Sequence, residues 1–276
     1  MKILDKHQEE KIIEMYQKRK PLTWIEKEVG ISEKTIRKWL KENGFWNGHK
    51  PMLCYFDEFF FDKIDTEEKA YWLGFFFADG YLSSTSNLIG FELESSDISH
   101  LEKFKKALNT DKEIKIYHKN STFGPQDNCR LIFYSSHMRS ILLNYIGSVY
   151  KTFEGHLPKV EKSLENHLIR GFFDGDGCLT YEKKDYEKYI VHPNINFTGR
   201  KKDLEYIEDL SGFSWVWSKR KNNDTDNFSI GCGRPNDVLS FLHYMYDDAT
   251  VFLDRKYEKY LFIIENRKRH QAKARV

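Results

Sequence analysis

The strongest constraint on this chain is that one stretch of it occurs twice. YWLGFFFADGYL runs from Tyr71 to Leu82, and HLIRGFFDGDGCLT runs from His167 to Thr180. Placing Asp79 on Asp176, an offset of 97 (176 − 79), puts Gly74 on Gly171, Phe75 on Phe172, Phe76 on Phe173, Ala78 on Gly175, Gly80 on Gly177 and Leu82 on Leu179. The same offset places Phe133 on Ile230, His137 on Arg234 and Leu142 on Leu239. Between these blocks SHLEKFKKAL echoes KDLEYIEDL, with Leu101 on Leu204 at an offset of 103. The second copy is therefore expected to carry about six extra residues, in its first hairpin. Duplication is the economical reading, and two copies in one chain predict a pseudo-twofold body, a dimer made covalent.

The spacing inside each copy carries the physics. Gly74 and Ala78 are four apart, as are Gly171 and Gly175. Small residues at i and i+4 give a helix one flat face that allows two backbones to approach closely. If each motif helix offers that face to the other, Asp79 and Asp176 emerge side by side at one end. An acid at a helix C-terminus already faces partial negative charge. Two there repel each other, and a divalent cation held by oxygen ligands relieves the repulsion. A single Asp-Gly could be no more than a turn into a hairpin; the paired small-residue faces favour a metal site.

Composition excludes several classes. The chain has 276 residues and a formal net charge of +2, so nucleic-acid binding must come from local basic faces. No apolar run approaches the length of a membrane span, and the start, MKILDKHQEEK, lacks a signal-peptide core. Cys54, Cys129, Cys178 and Cys232 are scattered without a C-x-x-C pair, which reads as reduced thiols in a cytoplasmic protein. No His pair has zinc-ligand spacing and no glycine-rich phosphate loop is present. NYIG faintly suggests another nuclease class, but no partner strand precedes it.

After each motif helix comes period-two material. In the first copy it is YLSSTSNLIGFELE, EIKIYHK and CRLIFYSS; in the second, CLTYEKKDYEKYIVHPNINFTG, SWVWSKRK and NFSIGCG. DISHLEKFKKALN, HMRSILLNYIG, KKDLEYIEDLS and PNDVLSFLHYMY have helical periodicity. Each copy thus reads α-β-β-α-β-β-α, and the fold class is α+β. One sheet face packs on helices, and the other is expected to be polar and basic. It would present Lys115, Tyr117, Lys119 and Arg130 in the first copy, with Lys183, Lys188, Lys219 and Lys221 in the second. A two-stranded ribbon fits the major groove of double-stranded DNA.

Residues 1–48 form a different module. Ile12, Ile13 and Tyr16 share a face of a first helix that Pro21 is expected to end. LTWIEKEVG reads as a second helix closed by Gly30, and Ser32 can cap a third, SEKTIRKWLKENG, with Ile36, Trp39 and Leu40 inward. This is helix-turn-helix grammar. Lys34, Thr35, Arg37 and Lys38 then face outward where a recognition helix meets DNA. Residues 1–50 hold 12 Lys and Arg against 8 Asp and Glu, a local balance of +4 (12 − 8). The expected organisation is this module (1–48), an aromatic linker (49–63), a first repeat (64–150), a second (151–265) and a basic tail (266–276).

WLGFFFADG and IRGFFDGDG, with KTFEGHLP and FLDRKYEKYLF, resemble the LAGLIDADG homing endonucleases in their single-chain, two-repeat form. The likeness spans about Ile64 to Ile264. It departs at Phe77, where the usual sixth-position acid is apolar, while Asp174 keeps that acid in the second copy. The resemblance implies a DNA-binding saddle and site-specific, staggered cleavage of both strands with short 3′ overhangs. It implies a monomer on a long, mostly asymmetric target, with no membrane partner. It also implies Asp79 and Asp176 as catalytic metal ligands for Mg²⁺ or Mn²⁺, joined by the carbonyls of Ala78 and Gly175. For a basic residue supporting the water network, the offset nominates His137 and Arg234, with Arg255 or Lys256 as alternatives. The competing reading is a transcription regulator or intron maturase that keeps this body without cleavage.

Overall fold

A computed structural model of the chain describes residues 4–48, 55–121, 124–184, 190–219 and 227–273. They divide into two compact units, one of residues 1–57 with 105–113 and one of residues 58–104 with 114–276.

In the first unit lie helices α1 (Lys6–Gln17), α2 (Leu22–Val29) and α3 (Glu33–Glu42). Asp5 caps α1 through a reciprocal capping box with Gln8, and the Ser32 hydroxyl accepts from Thr35 N at the start of α3. Gly30 closes α2 at φ 68°, a left-handed conformation that glycine adopts without a Cβ penalty. Ile12, Met15, Tyr16, Ile25, Ile36 and Leu40 form the core, with Trp39 and Trp46 packed at its edge. Pro21 does not end α1. That helix stops at Gln17, and Arg19 turns at φ 57° while Lys20 N bonds Met15 O at 3.0 Å. Pro21 instead opens α2, accepting from Trp24 N and Ile25 N.

The second unit contains the duplication. The first repeat runs α4 (Glu67–Asp79), β1 (Gly80–Leu82), β2 (Leu88–Glu94), α5 (Ile98–Ala107), β3 (Lys115–Ser121), β4 (Gly124–Tyr134) and α6 (Ser136–Ile146). A short helix, α7 (Lys151–Glu154), precedes the second. That repeat runs α8 (Glu165–Asp176), β5 (Cys178–Lys184), β6 (Ile190–Arg200), α9 (Lys201–Ser211), β7 (Val216–Lys219), β8 (Asn227–Cys232) and α10 (Pro235–Tyr246). The sheets have matching antiparallel order, β1-β2-β4-β3 and β5-β6-β8-β7. A last helix, α11 (Asp254–Lys273), runs through most of the stretch expected as a tail.

Each sheet packs one face on its motif helix through equivalent rings. Phe91 lies 5.3 Å from both Phe75 and Phe76, and Phe197 lies 5.8 Å from Phe172 and 5.1 Å from Phe173. Phe91 and Phe197 therefore correspond, at an offset of 106 (197 − 91). They pair with Leu131 and Ile230, so the fourth strands correspond at an offset of 99 (230 − 131). The constant offset that set Phe133 on Ile230 is thus corrected by two residues, a slip that leaves the buried face unchanged because strand side chains alternate. The first hairpin of the second repeat is nine residues longer (106 − 97). Three are regained where β6 enters α9 directly, while the first repeat inserts a 3-10 turn, Ser95–Asp97. Phe61, in the stretch expected as a linker, is fully buried against Phe76 at 6.4 Å.

Candidate active site

Helices α4 and α8 meet backbone to backbone. A Cβ on Gly74 would lie 2.0 Å from Leu168 O, and one on Gly171 would lie 2.0 Å from Tyr71 O. Only glycine permits that approach. Further along the seam a Cβ on Gly175 would meet Ala78 Cβ at 2.3 Å and Asp79 Oδ2 at 3.1 Å. The first repeat's acid thus sits against the last turn of the second repeat's helix, and both Asp79 and Asp176 open to solvent at that end.

Both carboxyls are held above the ordinary carboxylate range. Asp79 is raised to about 6, first by desolvation on a packed floor and second by the Asp176 charge, against Lys151, Lys256 and Arg255. Asp176 is raised by the same desolvation, against Lys151 and Lys256. The two lysines explain how acids stand at helix C-termini. Lys151 Nζ donates to Phe76 O at 2.9 Å and Ala78 O at 3.0 Å. Lys256 Nζ donates to Phe173 O, to Asp174 O at 2.9 Å and to Gly177 O at 2.5 Å. Each ammonium satisfies the carbonyls that end one motif helix. Burial lowers both lysines to about 8, against the pull of nearby carboxylates.

Of these lysines the sequence names Lys256, as an alternative to His137 and Arg234. His137 is bound to Asp62 at 2.6 Å, and Arg234 to Asp237 at 2.7 Å and Ser214 O at 2.7 Å. Those partners hold both side chains locally. Arg255 is paired with Asp97 at 3.1 Å. Lys151 was missed. It corresponds to Lys256 at an offset of 105 (256 − 151), which no constant offset reaches; the only signal was a lysine shortly after the last helix of each repeat. Arg200 was also missed. It lines a recess of about 340 Å³ with Phe77, Ala78, Lys151, Asp176 and Thr198. Its Nη1 donates to Gly155 O, and its Nε is buried with no partner among the described residues.

Asp174 does not reach the surface. Its carboxylate is fully buried and accepts from Tyr71 at 2.8 Å, Tyr246 at 2.5 Å and Leu253 N at 2.8 Å. The Tyr71 bond crosses between repeats. Beside it the buried Arg170 guanidinium donates to Val251 O at 3.0 Å, Met245 O at 2.7 Å and Glu67 at 2.6 Å. These bonds pin the connection from α10 to α11 and so hold Lys256 in place.

The open sheet faces are polar, but less basic than expected. In the first sheet Lys115 and Arg130 are exposed and share a row with Glu92, and Arg130 stacks 5.1 Å over Tyr117. Glu94 lies on the same face, so charges of both signs are present. Lys119 lies on β3 in register with Gln126. In the second sheet the open face carries Thr180, Asn194, Asn196, Thr198, Ser218 and Ser229. Lys219 is corrected to the helix side, in step with Trp217, whose indole donates to Glu208 at 2.9 Å. Lys183 pairs with Val191 in register, and Lys188 and Lys221 lie outside the described residues. On α3, Lys34, Arg37 and Lys38 are exposed and Thr35 is half-buried. Arg37 pairs with Glu33 and Lys38 with Glu42 at 3.6 Å, contacts weak enough to exchange.

Duplicated α-β-β-α-β-β-α repeats, joined along glycine-lined motif helices that end in paired acids, decide the architecture. It is the two-repeat LAGLIDADG fold. No family model matches the chain, and no curated protein does. Similar solved structures include the LAGLIDADG homing endonuclease I-GzeII in complex with its DNA target, 13% identical over 75% of this chain and 92% of that one, with a TM-score of 0.49. I-LtrWI, a LAGLIDADG homing endonuclease bound to target DNA, is 13% identical over 74% of this chain and 92% of that one, at 0.49. Full-length DUF199/WhiA from Thermatoga maritima is 19% identical over 76% of this chain and 64% of that one, at 0.44. The scores are low, and the LAGLIDADG assignment stands on the duplicated elements and their seam. No helix among the described residues is long and apolar enough to cross a membrane.

Proposed function

We propose that the chain is a site-specific endonuclease that cuts both strands of DNA, working as a monomer because both halves of the active site lie in one chain. The observation that carries this reading is the convergence of Asp79 and Asp176 at one end of the α4–α8 seam, with a buried lysine behind each. No cluster of three or more His, Cys, Asp or Glu side chains capable of holding a metal occurs among the described residues. A donor set of two carboxylates completed by helix-end carbonyls and water still fits a hard cation such as Mg²⁺ or Mn²⁺. The raised proton affinity of Asp79 marks charge that such an ion would relieve. Asp79 and Asp176 would hold it, with the carbonyls of Ala78 and Gly175. When bound it supplies an acidified attacking water, neutralisation of the phosphate and stabilisation of the leaving 3′ oxygen.

The chain's own residues do the rest. Lys151 and Lys256 fix the helix ends so that both carboxylates project the same way. Lys151 and Arg200 set two cations against Asp176 and Asp203 in the recess where a phosphate would sit. The hydroxyl and amide side chains of the second sheet suit base edges, since Asn reads adenine and Ser or Thr reads several bases. The tri-helical unit is proposed to act as a helix-turn-helix, with Lys34, Thr35, Arg37 and Lys38 contacting DNA beyond the cut site.

The test is cleavage of a randomised duplex library with Mg²⁺, followed by Asp79→Asn and Asp176→Asn on the site recovered. Each variant should bind with near-normal affinity and lose double-strand cleavage by about a hundredfold or more. Unchanged cleavage by the double variant would refute the assignment. Specific binding by the parent chain with no cleavage would favour the regulator or maturase reading.

A further inference from the structure

The two halves of the site are chemically unequal, and the inequality lies on the sheets. The departure at Phe77 is not its source at the DNA surface, because the equivalent Asp174 is fully buried among Tyr71, Tyr246 and Leu253 N. The correspondence of Phe91 with Phe197 sets Glu92 on Thr198 and Glu94 on Arg200 (200 − 94 = 106). Register supports it independently: Glu94 pairs with Asn128 and Arg200 with Asn227, and those two asparagines correspond at the offset of 99 shared by Leu131 and Ile230. At matching places one repeat therefore carries an exposed carboxylate and the other a guanidinium. Arg200 lines the recess with Asp176, Lys151 and Asp203, and its Nη1 donates to Gly155 O. Glu94 is bound to Gln126, and Glu92 accepts from Asn128 at 3.2 Å.

We infer that Arg200 and Glu94 impose an order on the two strand cuts. This rests on the endonuclease reading above. At each phosphodiester, water oxygen bonds to phosphorus, the P–O3′ bond breaks, and the 3′ oxygen leaves with a proton as a 3′ hydroxyl beside a 5′ phosphate. Negative charge spreads over the phosphoryl oxygens as the bonds exchange. On the second-repeat side the half-buried Arg200 guanidinium, which lines the recess beside Asp176, offers positive charge to those oxygens. On the first-repeat side the carboxylates of Glu92 and Glu94 repel them. The phosphate on the Arg200 side is cut first, and a nicked duplex precedes the double-strand break.

The experiment uses the full chain and a supercoiled plasmid carrying the site recovered from the duplex library, under single-turnover conditions with Mg²⁺ and strand-specific end labels. One strand should be cut about tenfold faster than the other, the scale of one charge-assisted contact at a reacting phosphate. Arg200→Gln should slow that strand by about tenfold and leave the other strand's rate unchanged. Glu94→Gln should speed the slower strand and narrow the ratio, a readout that stands even if Arg200→Gln fails to fold. Equal strand rates in the parent protein, equal slowing of both strands by Arg200→Gln, or an unchanged ratio in Glu94→Gln would each overturn the inference while leaving the endonuclease standing. Binding without cleavage of either strand would overturn both.

Discussion

Gly74→Ala tests the seam directly. In an isolated helix the substitution stabilises, because alanine exceeds glycine in helix propensity by about 1 kcal/mol. Here the added Cβ would stand 2.0 Å from Leu168 O, 2.9 Å from Leu168 C and 3.0 Å from Phe172 N. Ordinary contact begins near 3.4 Å, so the helices must part locally by 1.4 Å (3.4 − 2.0). The obstacle is backbone, and no rotamer change relieves it. Overpacking of this kind costs about 1–3 kcal/mol or more, and a rigid obstacle places it at the upper end. The net expectation is destabilisation of about 2 kcal/mol, or a fall of about 0.7 M in the urea midpoint for a slope of about 3 kcal/mol/M. Equilibrium unfolding followed by circular dichroism measures it. An unchanged or raised midpoint would show that α4 and α8 do not touch at Gly74, and the adjacency of the acids would fall with it.

Gly175→Ala should be destabilising in the same way, since its Cβ would meet Ala78 Cβ at 2.3 Å, and Ala78→Gly in the same chain should restore most of the loss; additive effects of the pair would argue against that contact. Lys256→Met should cost about 3 kcal/mol, because it strips the buried donor from three carbonyls and removes the nearest cation from buried Asp174; a cost below about 1 kcal/mol, the scale of a surface pair, would show the ammonium to be dispensable. Asp79 has its proton affinity raised to about 6, so it is ionised only above that pH and protons compete with the cation below it. The Mg²⁺ concentration for half-maximal cleavage should therefore climb steeply as pH falls through about 6; onset only near 4, the ordinary carboxylate value, would contradict the crowded site.

The elements were legible because their patterns are local. Alternation marked each strand within a few residues, and the helical periods of 201–211 and 235–246 coincide with α9 and α10. Arg19 shows where local rules misled: the proline drew the helix end forward, while a left-handed turn had already closed it. The register of the copies was legible only near the motif. Hairpins lengthen and turns shorten independently, so one offset could not follow the chain from 97 through 106, 103 and 99 to 105. His137 and Arg234, the two residues reached by carrying 97 past the sheets, are held by local partners, Asp62 and Asp237. Sign on the open faces was misjudged for another reason. Lysines are conspicuous in a sequence, but strand parity decides which face they reach, and parity sent Lys219 to the helix side while bringing Glu92 and Glu94 to the open one.

The acids at the helix ends also show how the fold keeps a charged site assembled. A carboxylate at a C-terminus opposes the helix dipole, and a second carboxylate beside it adds repulsion. Apolar packing along the seam offsets that cost, and so do Lys151 and Lys256, each bonded to the carbonyls that carry the dipole's negative end. Neither lysine is hydrogen-bonded to the acid its helix presents. The ammonium groups donate to backbone carbonyls, and both carboxylates remain exposed. A lysine paired directly with Asp79 or Asp176 would stabilise the fold more and occupy the oxygens that the proposed cation needs. Placing the positive charge one layer below leaves the pair short of counter-charge at the surface, which is the electrostatic condition a cation and a phosphate can jointly satisfy.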